Sequence, residues 1–141
     1  MSAWDWMAQA YARPGVATAC LALQDEAGQC VPYLLWAAWA KPGDAMLSQA
    51  SLTARRWEAE VLAPLRRARR ALKLPAAGFA NEALEALRDS VVAAEREAER
   101  LLVIGLAGEA REGDLDVTLD RAVNAWGGAT PSLAALAAAL S

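Results

Sequence analysis

PGVATACLALQDEAGQCVPYLLWAAWA, residues 14–40, carries the strongest structural signal in this chain. Pro14 suits the first turn of a helix and Gly28 suits the left-handed residue that closes one, so we predict a helix over about residues 15–27. The segment 33–40 contains no charged residue. A helix that is apolar all round is buried in a protein core or in a membrane. Because this segment falls well short of the roughly 20 residues that span a bilayer, we predict a central core helix.

The composition indicates a single all-α domain over residues 1–141. This length supports one hydrophobic core but not two independent ones. Much of the hydrophobic fraction is alanine, and the long alternating runs of Val, Ile and Thr that are typical of strands are missing. We therefore predict a helical bundle of about six to seven helices.

The charge balance and the N-terminus bear on location. A net charge of −3 at pH 7 gives no general attraction to nucleic acid or anionic lipid, so any such binding has to be local. The segment Met1 to Trp6 lacks the basic and uninterrupted apolar regions of a secretory signal. We expect a cytoplasmic protein with no membrane partner.

The residue inventory argues against several chemistries, since the chain has no histidine and only two cysteines. Both cysteines are expected to stay reduced in the cytoplasm. Cys20 falls on the apolar face of its helix, whereas Cys30, beside the Gly28 turn, is expected to be more exposed. A zinc site needs more ligands than two thiols, and nucleophilic catalysis most often needs a histidine base. We expect no metal, no cofactor and no enzymatic activity, although a pair of carboxylates stays open as an alternative.

A short first helix is predicted over residues 3–12. Trp4 and Trp6 are two positions apart and cannot both face the core. We assign Trp6 to the buried side, with Met7 and Ala10, and Trp4 to a partly exposed position. An exposed tryptophan suits a partner contact, and a short helix lying over a groove gives the same pattern.

The next segment is predicted as a loop over residues 41–49 followed by a helix. Ser51 can cap that helix, which continues to about residue 73 with Leu52 among its inward positions. Pro64 lies inside the helix, where its ring removes one backbone hydrogen bond, so we expect a kink there.

A run of basic residues follows the proline. At helical spacing four of them share one side of the helix and a fifth is displaced. We call this set the basic strip: Arg66, Arg69, Arg70 and Lys73, with Arg67 displaced. Arginine makes bidentate contacts with phosphates, so the basic strip can hold an acidic partner or nucleic acid. The alternative is intramolecular pairing with the next helix, which is rich in glutamate. The basic strip and Trp4 are the predicted partner-binding residues.

The longest helix is predicted over about residues 81–107, with Asn81 as its cap. Apolar residues recur along it every three to four positions, which is typical of bundle packing. These residues are Leu84, Leu87, Val91, Ala94, Ala98, Leu101 and Gly105. The opposite side is acidic and is interpreted as a solvated face. Glu95 and Glu99 lie one turn apart there, a spacing that can also hold Mg²⁺ with a substrate phosphate.

Two shorter helices complete the chain. Asp114 is a good N-cap for a helix that ends near Trp126. Thr130 and Pro131 begin a last alanine-rich helix, which needs a docking surface to be stable. That surface belongs either to its own core or to another subunit.

The pattern W…YARPGV…CLALQD…G…LL…W, over residues 6–39, is the most specific part of the sequence. Residues 57–73 add a second group of motifs: Trp57, Pro64-Leu65-Arg66, Arg69-Arg70 and Leu72-Lys73. Together they resemble an uncharacterised family of small proteobacterial proteins, known only as a domain of unknown function. The resemblance covers most of the chain and implies no activity, so no catalytic residue follows from it.

We expect a protein that binds another macromolecule, with a protein as the expected partner, through the basic strip and Trp4. One alternative is an accessory factor associated with nucleic acid or the ribosome, marked by binding that falls steeply with salt. Another is a small-molecule binder or enzyme with a pocket lined by Trp36, Trp39 and Trp57. The sequence leaves the identity of the partner and the oligomeric state open.

Overall fold

The computed structural model describes residues 1–128 and 130–141, and within them it contains α-helices and no β-strand. The helices are α1 Ala3–Tyr11, α2 Val16–Ala27, α3 Val31–Ala40, α4 Asp44–Trp57, α5 Ala63–Ala71, α6 Asn81–Leu106, α7 Leu115–Trp126 and α8 Ala134–Leu140. A π turn over Glu58–Leu62 joins α4 to α5. The prediction of an all-α bundle with one long helix near residues 81–107 is confirmed.

The α3 helix is the centre of the core. Every residue from 32 to 38 is buried, and α3 packs against α1, α2, α4, α6 and α7. Two of its aromatic side chains also bond to backbone carbonyls elsewhere in the chain. Tyr33 Oη donates to the Ala122 carbonyl at 2.8 Å, and Trp36 Nε1 donates to the Ala107 carbonyl at 2.6 Å. The predicted central core helix is confirmed, and its polar atoms hold α7 and the end of α6 in place.

The predicted end of α2 at Gly28 is confirmed, whereas its start differs from the prediction, because Pro14 precedes the helix and Gly15 is the N-cap. Gly15 and Gly28 both take the left-handed conformation, at φ of 86° and 62°, which a residue with a side chain rarely adopts. Cys20 is buried on the inner face of α2, as expected. Cys30 corrects the expectation of greater exposure, because it is the N-cap of α3 and is completely buried.

The α4 helix begins earlier than the sequence predicted. Gly43 is its N-cap and Asp44 its first residue, so the predicted loop is mostly helix. The Pro-Gly turn completes the reversal by Gly43, and a carboxylate in the first turn suits the helix dipole. Ser51 is therefore not a cap. It is buried inside the helix, where its hydroxyl donates to the Ser48 carbonyl at 2.8 Å, and Leu52 points to solvent.

Pro64 lies just after the π turn. The N–H of Ala63 donates to the carbonyl of Glu58, five residues back, so the helical ladder is widened at this point. The wider turn accommodates Pro64, which has no backbone N–H to donate. The helical segment therefore continues from residue 44 to residue 71.

The α6 helix takes a different register from the one predicted. Its buried residues are Glu95, Ala98, Leu102, Val103 and Leu106. Leu87 and Leu101, predicted to face the core, are 53% and 48% exposed. The neighbours of α6 determine this register, because α1, α3, α4 and α5 all pack on one side of it.

The C-terminal helices close the other side of the core. Asp114 caps α7 as predicted, with Oδ1 accepting from the Val117 N–H at 2.9 Å. The α8 helix docks on α2 and α7 of its own chain, and Arg13 donates to the Leu140 carbonyl at 3.0 Å. Across residues 1–128 and 130–141, every helix is too short or too polar to cross a membrane.

Candidate functional site

Three members of the basic strip form ion pairs inside the molecule. Arg66 meets Glu58 at 2.8 Å, within the same helical segment. Arg69 Nε lies 2.9 Å from Oε1 and 3.1 Å from Oε2 of Glu95 on α6. The third pair joins Arg70 Nη2 to Oδ1 of Asp25 on α2 at 2.7 Å. The structure thus places these three arginines in the intramolecular arrangement.

The remaining two members of the basic strip lie on the surface. Arg67 and Lys73 are exposed, and neither forms an ion pair with any residue that the structure describes. They are the part of the basic strip that stays available for an external partner.

Glu95 corrects the prediction of a solvated acidic face on α6. Its side chain points into the interior, where both of its oxygens lie within bonding distance of Arg69. A buried carboxylate costs several kcal/mol unless it is paired and hydrogen-bonded, and Arg69 supplies both interactions. One carboxylate of the acidic face, Glu95, therefore points inward, and Arg69 on α5 neutralises its charge.

Glu58 and Arg66 add a second ion pair beneath this one. Both side chains are largely buried, and Glu58 Oε2 has no hydrogen-bond partner among the described residues. Burial raises the pKa of the nearby Cys30 thiol, and the negative charge of Glu58 raises it further. The interior beside Cys30 therefore contains the paired charges of Glu58 and Arg66.

Glu99 lies one turn after Glu95 and has no such partner. It is half-buried and makes no hydrogen bond or ion pair within residues 1–128 and 130–141. Burial raises the pKa of Glu99 to about 7, and the negative charge of Glu95 adds to this rise, while Arg66 and Arg96 oppose it. At neutral pH the Glu99 carboxyl is therefore poised between its protonated and ionised forms.

Arg69, Glu95 and Glu99 line a cleft between α1, α2, α3, α5 and α6, which we call the polar cleft. It has a volume of about 400 Å³. Its walls are mainly apolar and aromatic and include Trp4, Met7, Leu21, Leu35 and Val92. Its polar groups are Gln24, Arg69, Glu95, Arg96 and Glu99, with the Tyr11 phenol. This mixture of apolar wall and few polar groups is typical of sites that bind small molecules.

The N-terminal helix forms one wall of the polar cleft. Trp4 and Trp6 are both half-buried, so the two indoles share the partial exposure that was predicted for Trp4 alone. Trp4 lies against the polar cleft because α1 packs on α3 and α6. Burial raises the pKa of the Tyr11 phenol, with smaller contributions from Cys20 and Glu99.

The tryptophans predicted to line a pocket are placed differently. Trp36 is fully buried, and Trp57 is half-buried with its Nε1 donating to the Ala98 carbonyl at 2.8 Å. Trp39 is also half-buried. Trp36 and Trp57 serve the core, and the tryptophan beside the polar cleft is Trp4.

The described residues supply no further ligand for a magnesium ion at Glu95 and Glu99. Within residues 1–128 and 130–141, no group of three or more Asp, Glu, Cys or His residues is arranged to hold a metal ion. Glu95 is occupied by Arg69, so Glu99 is the one carboxylate of the polar cleft that is open to a ligand.

The fold and the polar cleft define an all-α protein with a partly charged cleft between its N-terminal and longest helices. A family model described as "Protein of unknown function (DUF2390)" matches residues 2–106, so the chain belongs to this family. The resemblance to an uncharacterised family is thus confirmed, and the matched region contains the whole polar cleft. No curated protein and no solved structure matches the chain.

Proposed function

We propose that this protein binds a small molecule in the polar cleft, and that the ligand has an apolar or aromatic body and one positively charged group. The observation that carries the proposal is the position of Glu99. It is a half-buried carboxyl that makes no hydrogen bond or ion pair in the described residues, and it lies in a cleft whose walls are mainly apolar. A ligand cation would supply the counter-charge that Arg69 gives to Glu95.

The dimensions of the polar cleft support a ligand of this size. Small-molecule sites usually occupy roughly 300 to 1,000 Å³ and are mostly apolar with a few polar groups. Trp4 and Tyr11 offer aromatic faces that favour an apolar body and a cation.

The proposal is for binding and not for catalysis. The two cysteines are the strongest nucleophiles of the chain, and both are buried. Burial raises the pKa of Cys20 to about 11, which keeps the thiol protonated and unreactive at neutral pH. We place the protein in the cytoplasm because these two free thiols suit a reducing compartment. The proteobacterial origin that the resemblance implies stays an expectation.

The test compares benzylamine, benzyl alcohol and benzoate, which share a ring and differ in charge. We expect benzylamine to raise the thermal unfolding midpoint of the wild type and of Glu82→Gln, an exposed control on the same helix, but not of Glu99→Gln. We also expect benzylamine binding near neutral pH to release a proton, measured by calorimetry in buffers of different ionisation enthalpy. Equal effects of the three compounds, or an unchanged effect in Glu99→Gln, would refute the proposal.

A second candidate function is macromolecular binding at the tip between α5 and α6. The observation favouring it is the exposure of Leu74 and Phe79, at 69% and 67%, beside Lys73. Exposed apolar side chains next to a free cation are typical of a protein-binding surface. A nucleic-acid partner is the alternative for the same tip.

Affinity capture with and without nuclease tests this second candidate. The bait is the wild type or the variant Lys73→Glu with Phe79→Ser, after circular dichroism has shown that the variant is helical. A protein partner that survives nuclease and is lost in the variant supports an adaptor. Capture that needs nucleic acid and falls steeply with salt supports the nucleic-acid alternative. Identical capture by both baits would reject the tip as a binding surface.

A further inference from the structure

The side of α6 that lines the polar cleft carries an open cation as well as the open carboxyl of Glu99. Four residues of α6 line the cleft at the i, i+3, i+4 and i+7 positions that share one side of a helix. They are Val92, Glu95, Arg96 and Glu99. Arg96 forms no hydrogen bond or ion pair with any residue that the structure describes. The polar cleft therefore contains one unpaired charge of each sign, and the two lie one helical turn apart.

Arg69 adds unused hydrogen-bond donors to the same cleft. Its Nε donates to both oxygens of Glu95, whereas its Nη1 and Nη2 make no hydrogen bond within residues 1–128 and 130–141. The Arg69 side chain is largely buried and lines the polar cleft. Guanidinium N–H groups that are partly removed from water favour an anionic acceptor, which carboxylates supply in a matching geometry. Arg69 and Arg96 together therefore suit an anionic group of a ligand.

The charge balance of the polar cleft also bears on the ligand. With Glu99 ionised, the two arginines and the two glutamates that line the cleft cancel. A ligand with a cation alone would add an unbalanced positive charge among mainly apolar walls, which is unfavourable. A ligand with one group of each sign leaves the balance unchanged and gives both Arg96 and Glu99 a partner.

We propose that the ligand of the polar cleft is a zwitterion, a free α-amino acid with an aromatic side chain. This ligand class rests on the proposed function, to which it adds an anionic group. The ammonium binds Glu99, the carboxylate binds Arg96 and the Nη groups of Arg69, and the ring lies against the apolar wall beside Trp4. An α-amino acid bears both charged groups on one carbon, a separation that suits side chains one helical turn apart.

Three phenyl compounds that differ in their charged groups test the proposal by isothermal titration calorimetry near neutral pH. L-Phenylalanine has both groups, L-phenylalaninol has a neutral hydroxymethyl group in place of the carboxylate, and hydrocinnamate lacks the ammonium. We expect L-phenylalanine to bind the wild type about tenfold more tightly than L-phenylalaninol, as for the gain of one charge-assisted hydrogen bond. Hydrocinnamate should also bind more weakly than L-phenylalanine, because it offers Glu99 no counter-charge.

Arg96→Gln isolates the contact with the carboxylate. We expect this variant to bind L-phenylalanine several-fold more weakly than the wild type does, and to bind L-phenylalaninol as tightly. A damaged fold would weaken both compounds together, so the difference between them reports the charge contact. Arg88→Gln is the matched control, because Arg88 lies on the same helix outside the polar cleft. It should keep the wild-type preference for L-phenylalanine.

The same measurements separate the zwitterion from the proposed function. If L-phenylalaninol binds as tightly as L-phenylalanine, or if the preference persists in Arg96→Gln, the ligand needs only a cation. The zwitterion is then overturned while the proposed function stands. If none of the three compounds binds, or if hydrocinnamate binds as tightly as L-phenylalanine, both are wrong.

Discussion

The helices α3 and α6 both contribute to the same core, but their sequences determine their environments to different degrees. The α3 helix has no charged residue and is enclosed by five other helices. The α6 helix has charged residues over much of its length and buries only part of one side. A helix that is apolar on every side has one suitable environment, whereas a helix with two apolar stripes can face inward in two ways. The register of α6 therefore depends on its neighbours, and Arg69 fixes which carboxylate turns inward.

The largest effect is expected in α3. Trp36→Ala removes a fully buried indole and its hydrogen bond to the Ala107 carbonyl. We expect the free energy of unfolding to fall by about 3–5 kcal/mol, as for other buried aromatic truncations. Urea unfolding followed by circular dichroism measures the change. Trp36→Phe is the control, because it keeps most of the volume and should lose clearly less. A loss below about 1 kcal/mol for Trp36→Ala would contradict a packed centre at α3.

A smaller effect is expected where α5 meets α6. Arg69→Ala leaves Glu95 buried without its counter-charge. Because the Arg69 side chain is 24% exposed, we expect a loss of about 2–3 kcal/mol, below that of a fully buried pair. Arg70→Ala is the matched control on the same helix, and its exposed pair with Asp25 should be worth less than about 1 kcal/mol.

A double variant sharpens the comparison of these two pairs. Arg69→Met with Glu95→Leu removes both charges and should recover most of the stability lost in Arg69→Ala, measured by the same urea unfolding. Equal losses for Arg69→Ala and Arg70→Ala would show that Glu95 is solvated after all.

The smallest effect depends on pH and concerns Glu99. Because its pKa is raised to about 7 from an ordinary value of 4.5, the unfolded chain loses this proton at lower pH than the folded chain. The contribution of Glu99 to stability therefore falls as the pH rises from about 4.5 to 7. Glu99→Gln lacks this pH-dependent contribution to the free energy of unfolding. We expect it to unfold like the wild type near pH 4.5 and to be more stable by about 2 kcal/mol at pH 8.

Urea unfolding of the wild type and Glu99→Gln at several pH values measures the difference. Asp25 and Glu97 titrate in both proteins, so their contributions cancel. Parallel stability curves over this range would contradict a buried, unpartnered Glu99.

Interactions between residues close in sequence were sufficient to predict much of the fold. Gly28 as a helix end and Asp114 as a cap follow from backbone and hydrogen-bond rules that act within a few residues. The start of α4 was predicted too late, because Ser51 has the chemistry of a cap and also suits a helix interior. Its hydroxyl donates to the Ser48 carbonyl, one turn back. This arrangement requires that α4 has already begun at Asp44.

The candidate site was harder to predict than the fold. Spacing alone put Arg66, Arg69 and Arg70 together on one helix, but their partners come from three different parts of the chain. A signal for the inward glutamates was present, because Glu95 is in phase with Val91 and Leu102 on α6. Long-range placement of α5 against α6 was needed to choose between that face and the one that carries Leu87 and Leu101.

The π turn at Glu58–Leu62 has a consequence for the rotational phase of the helix that follows it. It holds one residue more than an α-helical turn, so every side chain of α5 is advanced by about 100° around the helix axis relative to α4. With this phase Arg69 reaches Glu95 and Arg66 reaches Glu58. Deleting one residue from the turn would restore a uniform helix and rotate both guanidinium groups out of alignment. The extra residue beside Pro64 thus sets the azimuth at which α5 meets the rest of the molecule.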